Sequence, residues 1–357
     1  MHNIDKDEWY DGIQQAVDEA DDGNTLRVYP GTYEEWVIID KPLILLGPNE
    51  GIKGCNNNRG DEALIVPPAD APFIDPYDMF PALILVNAEN VVIDGFSIEP
   101  LNPNIVNNEY QAATGILGDG RGLIGDYVDV DGLEVRNNII KGFPDLGVFV
   151  SRSRGQVSSD GPITDVIVAD NCIKESYDGN GFGFYLQGTI GHVLNNTVEE
   201  VLGNQIQPYG AVAAPGEGVV SGNVISAYGL SLYHNYDEQG GEWTYSGNTL
   251  TADPNASWWE GIRIQTIYND PTLVFTDNTI DGMEVEGDDV VGLRFLGDVS
   301  QASVGNLDFS GNTIKGLVIC VKDDSTGKHV DLDDIRDNNI YPDGDTEIDD
   351  NKIKYVE

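Results

Sequence analysis

The sequence predicts an all-β fold: a solenoid of about ten stacked coils of parallel strands, with a helix capping its N-terminal end. Three observations predict it. A short strand motif ending in Asn-x-(Ile/Val/Leu) recurs along most of the 357 residues. A second, glycine-led strand follows it in most repeats. An amphipathic stretch precedes the first repeat, where a solenoid needs its open end covered.

At the N-terminus, Asp5 followed by Glu8 suits a helix start. Trp9, Ile13, Val17 and Ala20 fall on one face at helical spacing. Residues 1–25 therefore read as a capping helix and lead-in, and 26–357 as the solenoid. Residues 48–131 are its least regular part, with a Gly/Asn-rich insert (Asn49–Asp61), a Pro-rich loop (Pro67–Pro81) and a long loop after Pro100. Strands Leu83–Val86 and Val91–Ile98 keep the coil going between them, so long side loops are expected here and not a second domain.

From residue 133 the repeat is plain. Its key asparagines are Asn138, Asn171, Asn196, Asn223, Asn248, Asn278, Asn312 and Asn338, spaced 33, 25, 27, 25, 30, 34 and 26 apart. Apolar alternation before each one is the pattern of a half-buried strand. Neither strand of so short a unit can bury a face alone, whereas stacked units can. Coils stack about 4.8 Å apart as parallel strands. Asn tolerates left-handed backbone at a bend, and its amide can bond to the equivalent Asn one coil away. The column is therefore read as a structural asparagine ladder. The second strands open at Gly147, Gly183, Gly229, Gly261, Gly292 and Gly316.

The segments Ile13-Gln-Gln-Ala-Val17, Asp21-Asp-Gly-Asn-Thr-Leu-Arg-Val28, Tyr29-Pro-Gly-Thr-Tyr-Glu-Glu35 and Val37–Gly47 resemble the entry of right-handed parallel β-helix proteins of the pectin-lyase-like superfamily. The resemblance implies a capping helix, a first strand, a Pro-Gly-Thr-Tyr turn and two further strands. It extends over essentially the whole chain and is specific for fold. It is unspecific for function, because the superfamily holds lyases, hydrolases, esterases, epimerases and non-catalytic virion spikes. The motif sets of its enzymes are incomplete here. The Gln-Asp and Asp-Phe motifs of the methylesterases have no counterpart. Gly261-Ile-Arg-Ile and Gly287-Asp-Asp stand in the reverse of the polygalacturonase order.

Charge narrows the partners. With 61 acidic and 19 basic residues the net charge is −42. No basic stripe exists to displace counterions from nucleic acid, and attraction to anionic membranes is excluded for the same reason. Self-repulsion of this size is tolerable where salt screens it, so the chain reads as built for very high salt. A calcium-loaded extracellular protein is the other reading. No apolar stretch reaches the length of a membrane-spanning helix, and residues 1–8 lack a signal-peptide pattern. Cys55, Cys172 and Cys320 are distant and odd in number, which implies no disulfide framework. Cys172 and Cys320 sit in apolar runs and read as small buried hydrophobes.

Stacking the second strands lines up an outward column: Phe149, Tyr185, Gln187, Gln207, Tyr209, Tyr233, Arg263, Gln265 and Arg294. Trp258 and Trp259 lie close by. Aromatic rings stack on sugar faces, while amides and guanidinium groups bond hydroxyls or carboxylates. The column is thus a candidate glycan-binding row, and equally a stack that stabilises an exposed β-face. Arg263 and Arg294 stand out in a chain with 9 arginines, although a neighbouring Asp could pin either one. Asp237, Glu238, Glu260 and Asp298 are carboxylates near the column, with no fixed separation to mark an acid–base pair. His192 and His234 read as loop or surface residues.

No cofactor or metal is expected, except that calcium could sit on acidic loops. Asp126, Asp129 and Asp131, and Asp343, Asp345, Glu347 and Asp349, are acid-rich, but neither group has the calcium-loop spacing. Sequons occur at Asn195-Asn196-Thr197 and Asn255-Ala256-Ser257. The first lies in the ladder, and the second on a plausible loop.

Two functions fit. One is a non-catalytic surface protein, such as a spike, turret or decoration protein of a halophilic archaeal virus, contacting host glycans. Its partners would be cell-surface carbohydrate, other virion proteins and further copies in a homo-oligomer such as a trimer. The other is a haloarchaeal polysaccharide lyase or glycoside hydrolase acting on acidic polysaccharide. The expected location is a virion surface or the extracellular space in high salt.

Overall fold

The computed structural model describes residues 1–69, 82–102, 114–119, 130–151, 163–176, 182–187, 189–201, 206–209, 216–237, 241–267, 272–285, 290–298, 307–317, 319–326, 335, 337–341 and 353–355. Three long sheets carry the fold, which we label A, B and C. Among the described residues they hold 12, 10 and 11 strands. Successive coils place one strand in each sheet, so neighbours in a sheet are three strands apart in sequence and run parallel. The exceptions are the short N-terminal strands His2–Asn3 and Glu8–Trp9, which add to the edge of sheet A in antiparallel fashion, and Ile353–Tyr355, which pairs in parallel with Ile319–Thr326, the described strand just before it.

The core follows from period-2 alternation. In sheet B the register sets Ile98, Ile140, Ile173, Val198, Ile225, Leu250, Ile280 and Ile314 one above another. All are buried. In sheet A, Tyr245, Phe275 and Phe309 stack with ring centroids 4.4 Å apart and nearly parallel planes. That spacing is close to the inter-strand distance of about 4.8 Å, so coil rise and ring stacking reinforce each other. The glycine that leads several sheet C strands has a steric cause. A side chain at Gly147 would collide with the carbonyl of Gly183, and one at Gly292 with that of Cys320.

The turn from sheet A to sheet B is built from two residues with separate jobs. Left-handed backbone falls on Asn137, Asp170, Asn195, Gly222, Gly247, Asp277 and Gly311. The ladder asparagine comes next, and its backbone is not left-handed. This corrects the expectation that one residue does both. The φ > 0 residue swings the chain inward, so the next amide points along the stack. Asn138 Oδ1 accepts from Phe96 N–H, and from Asn171 onward each ladder Oδ1 accepts from the main-chain N–H and the Nδ2 of the asparagine one coil earlier. For Asn223 the distances to Asn196 are 2.9 and 3.0 Å. Each Nδ2 also donates to a strand carbonyl, as Asn223 does to Val193 at 2.9 Å. The chain of bonds runs from Asn138 through Asn171, Asn196, Asn223, Asn248 and Asn278 to Asn312. Its last member is Asn339, at 2.8–3.0 Å from Asn312. Asn338, expected in that place, instead offers its carbonyl to Gly311 N–H. Two adjacent asparagines left the one-residue phase undetermined in sequence.

The helix runs from Ile13 to Glu19, with Ile13, Ala16 and Val17 buried. Trp9 is not on it. It lies in an edge strand, 65% exposed, stacked between His2 and Tyr29. Asp5 and Glu8 do not cap the helix either: Asp5 accepts from Thr25 N–H and Glu8 from the Tyr10 hydroxyl. The capping carboxylate is Glu35, which accepts from Ile13 and Gln14 N–H at 3.0 and 2.9 Å. An acceptor 22 residues downstream cannot be found by local spacing. Its charge also suits the positive end of the helix.

Residues 47–61 form a strap along the ridge of sheet A-to-B turns. Gly51 N–H donates to Asp94 and Gly54 N–H to the Asp170 carbonyl. The Arg59 side chain, 6% exposed, bonds the carbonyls of Ile52, Asn137 and Phe96 and pairs with Glu62. A disulfide between Cys55 and Cys172 closes the strap. This overturns the expectation of no disulfide and of Cys172 as a plain hydrophobe. Cys320 is buried.

Candidate functional site

Sheet C carries the predicted outward column on its strands Leu146–Ser151, Phe182–Gln187, Ile206–Tyr209, Leu230–Asp237, Trp259–Ile267, Val290–Asp298 and Ile319–Thr326. Its register pairs Phe149 with Tyr185, Tyr185 with Gln207, Tyr233 with Arg263, and Arg263 with Arg294. A second row pairs Ser151 with Gln187, Gln187 with Tyr209, Tyr209 with Asn235, and Asn235 with Gln265. For Tyr185, Gln187, Gln207 and Tyr209 only this main-chain pairing is described; their side chains lie outside the described part of the structure.

Towards the C-terminal coils the side chains form a defined cluster. Glu260, 1% exposed, lies between two guanidinium groups. Arg263 grips it with Nε and Nη2 at 2.6 and 2.7 Å, and Arg294 Nη1 donates to it at 2.8 Å. Arg294 also pairs with Asp324 at 2.6 Å, and Lys322 lies 3.4 Å from the same carboxylate. The Arg263 guanidinium stands 5.5 Å over the Tyr233 ring, within cation–π range. The Tyr233 hydroxyl donates to Gln265 Oε1 at 2.7 Å. Burial alone would pull both arginines down; the hydrogen bonds and charge of Glu260 outweigh it, and both end above the usual guanidinium value. Neither arginine is therefore suited to act as a base.

Lys322 and Asp324 complete the cluster and were missed in the sequence. Gly316 does not open their strand, which runs Ile319–Thr326. The register that pairs Arg294 with Lys322 is the signal that finds them. Trp258 is 38% exposed at the head of the Arg263 strand. Trp259 is not on the outer face. It is fully buried, with its Nε1 donating to Ser231 Oγ at 3.1 Å. Burial of its large apolar ring outweighs exposure, and the hydroxyl satisfies its one polar atom.

The remaining candidates scatter. His234 is buried, with Nδ1 2.7 Å from the Tyr245 hydroxyl, so it is not a surface residue. His192 is half-buried on the strand Thr189–Leu194. Asp237 and Asp298 lie on strands with their side chains undescribed. Glu238, Asp126, Asp129, Asp343, Asp345, Glu347 and Asp349 lie outside the described residues. Asp131 accepts from Thr164 N–H. Among the described residues no group of three or more His, Cys, Asp or Glu is placed to hold a metal ion.

A second feature lies at the end of the strap. A polar cleft of about 500 Å³ is lined by Lys53, Cys55, Asn56–Asn58, Asp170, Asn171, Asn195 and Thr197. Lys53 Nζ and Asp170 Oδ1 pair across it at 2.7 Å.

No family model matches the chain, and no curated protein matches it. Among solved structures it is similar to a pectin methylesterase from Yersinia enterocolitica. That match has 13% identity, covers 98% of this chain and 94% of the other, and has a TM-score of 0.37.

Proposed function

We propose that this is a non-catalytic surface protein whose sheet C face contacts glycans, displayed in high salt on a virion or cell surface, as a spike or decoration protein of a halophilic archaeal virus is. In this reading the β-helix has about ten coils, the N-terminal helix caps it, and its acids coat the rod. The observation that carries the reading is the row Arg263–Glu260–Arg294–Asp324–Lys322 beside Tyr233 and Gln265. In a chain of net charge −42, three cations on consecutive coils form a local cationic row, held rigid by buried and half-buried carboxylates. Planar guanidinium groups, an amide and a ring are what sugar hydroxyls and carboxylates bind. Glu260 favours binding over catalysis: its oxygens are taken up by three guanidinium bonds, which ill suits it to pass a proton. The Cys55–Cys172 disulfide supports an oxidising location such as the cell exterior.

Two experiments test this. In native source material, the protein should sediment with particles or envelopes at molar KCl; recovery as a free cytosolic monomer overturns the display role. Purified protein should bind surface polysaccharide of the same cells, and Arg294→Gln should weaken that binding at least about tenfold, as loss of a charge-assisted pair predicts. New reducing ends or unsaturated products on incubation would overturn the non-catalytic reading.

A further inference from the structure

The chain contains two Asn-x-Ser/Thr motifs, and the structure separates them sharply. In Asn195-Asn196-Thr197, the middle residue is a buried rung of the ladder, bonded through Oδ1, Nδ2 and N–H. Thr197 begins a strand paired on both sides, to Cys172 and to Val224. Asn195 is fixed in left-handed backbone, with its Oδ1 against Gly222. Asn195 is itself exposed, but its left-handed backbone, the ladder residue after it and the paired strand that Thr197 begins hold the motif in the scaffold.

Asn255-Ala256-Ser257 has neither a ladder residue nor a paired strand. It lies in the loop between the strands Thr249–Ala252 and Trp259–Ile267. Asn255 and Ser257 are exposed, and Ala256 is buried as the loop's anchor. Pro254 precedes the acceptor and stiffens the approach. The Asp253 carboxylate accepts from Asn255 N–H at 2.7 Å and from its Nδ2 at 3.0 Å. These bonds set a tight turn that presents the amide outward with the Ser257 hydroxyl two residues on. Trp258, 38% exposed, offers a ring next to the motif. The disulfide is an independent feature suited to an oxidising compartment, as N-linked sugar on an exported surface loop would be.

We propose that Asn255 is a glycosylation site and that Asn195 is not. The co-reactant is a lipid-linked oligosaccharide phosphate, handled by a membrane transferase. Asn255 Nδ2 forms a bond to the anomeric carbon of the first sugar as the bond from that carbon to the phosphate oxygen breaks. The lipid phosphate leaves with the electron pair, and the amide nitrogen gives up one proton. The attached glycan then stands at the margin of the sheet C face, with Trp258 against its first sugar. The proposal does not depend on what that face binds.

The test is peptide mass spectrometry on protein purified from its source cells. Cleavage after Glu242 and Glu260 releases residues 243–260, which contain the motif. This peptide should carry added hexose or hexuronic acid mass, and the same peptide from chain expressed in a non-glycosylating bacterium should not. In the source host, Asn255→Gln and Ser257→Ala should each remove the added mass. Both positions are exposed, so the melting profiles should stay those of the unglycosylated wild type. Finding residues 243–260 only at the unmodified mass overturns the proposal. So does an added mass that persists in Asn255→Gln, which would place the sugar on a hydroxyl, or in Ser257→Ala. Sugar on Asn195 overturns the selectivity.

Discussion

The ladder asparagines are costly residues to alter because each one serves several buried groups at once. Asn223 accepts two bonds from Asn196 and donates to Val193 and Asn248. Asn223→Ala leaves these partners buried without their bonds. At about 1–3 kcal/mol for a stranded polar group, the loss should be about 3 kcal/mol, read as a lower denaturant midpoint. A loss under about 1 kcal/mol would mean that water replaces the amide. Asn339→Ala should cost less, because its position is half-buried. Another residue-scale signature is Tyr10, whose phenol is pushed up to about 12, first by its hydrogen bond to Glu8 at 2.6 Å and then by burial and nearby acids. An unfolded tyrosine titrates near 10, so the native state holds a proton that the unfolded chain releases. The resulting stabilisation is full below about pH 10 and disappears as pH rises through about 12. A tyrosinate absorbance titration of wild type against Tyr10→Phe should show one phenol ionising near pH 12. A difference centred near pH 10 would contradict the Glu8 contact. The ladder asparagine was legible in the sequence by repetition. The Glu8–Tyr10 bond was not, because Glu8 read as helix and stands instead in an edge strand.

Among the elements, the strap departs furthest from the repeat. It spans several turns that the repeat leaves open, and its hold combines Arg59, the Lys53–Asp170 pair, main-chain N–H bonds and one disulfide. Cross-linking positions 117 apart removes much chain entropy from the unfolded state. Cys55→Ser should cost about 2–4 kcal/mol, and wild type with reductant should shift by a similar amount. No shift on reduction would mean that Arg59, the Lys53–Asp170 pair and the main-chain bonds hold the strap without the disulfide. In the sequence, residues 49–61 read as a Gly/Asn-rich side loop, since nothing local shows that residue 55 reaches residue 172. Gly54 is the one local clue, and it is readable only afterwards: a side chain there would collide with the Asn138 carbonyl and Cys172 N–H. The helix shows the same limit. Its apolar spacing was readable, but its start was misplaced because the cap comes from Glu35, two strands later.

For the whole molecule, a net charge of −42 makes solvent ions part of the stability. At about 0.1 M salt the screening length is about 10 Å, and at 1 M about 3 Å. The melting temperature should therefore climb steeply between about 0.1 and 3 M KCl, with a shallower rise once screening is complete. A flat profile would show that the charges are compensated within the protein and would remove the case for a high-salt habitat. Arg263, Arg294 and Glu260 should be among the parts least sensitive to this change, because their pairing is shielded from solvent.

By itself the sequence determined the architecture: a stack of parallel strands with apolar columns inside and, from Asn138 onward, an asparagine at one turn of each coil. It could do so because a solenoid repeats one local pattern, and repetition is visible in one dimension. Tertiary structure alone decided what breaks the repeat: which of two adjacent asparagines ends the ladder, which carboxylate caps the helix, which cysteines meet, and that Trp259 faces the core while Arg263 and Arg294 share Glu260. Each of these depends on the register between coils 25 or more residues apart. A shift of one residue there exchanges inside for outside, and no local spacing records it.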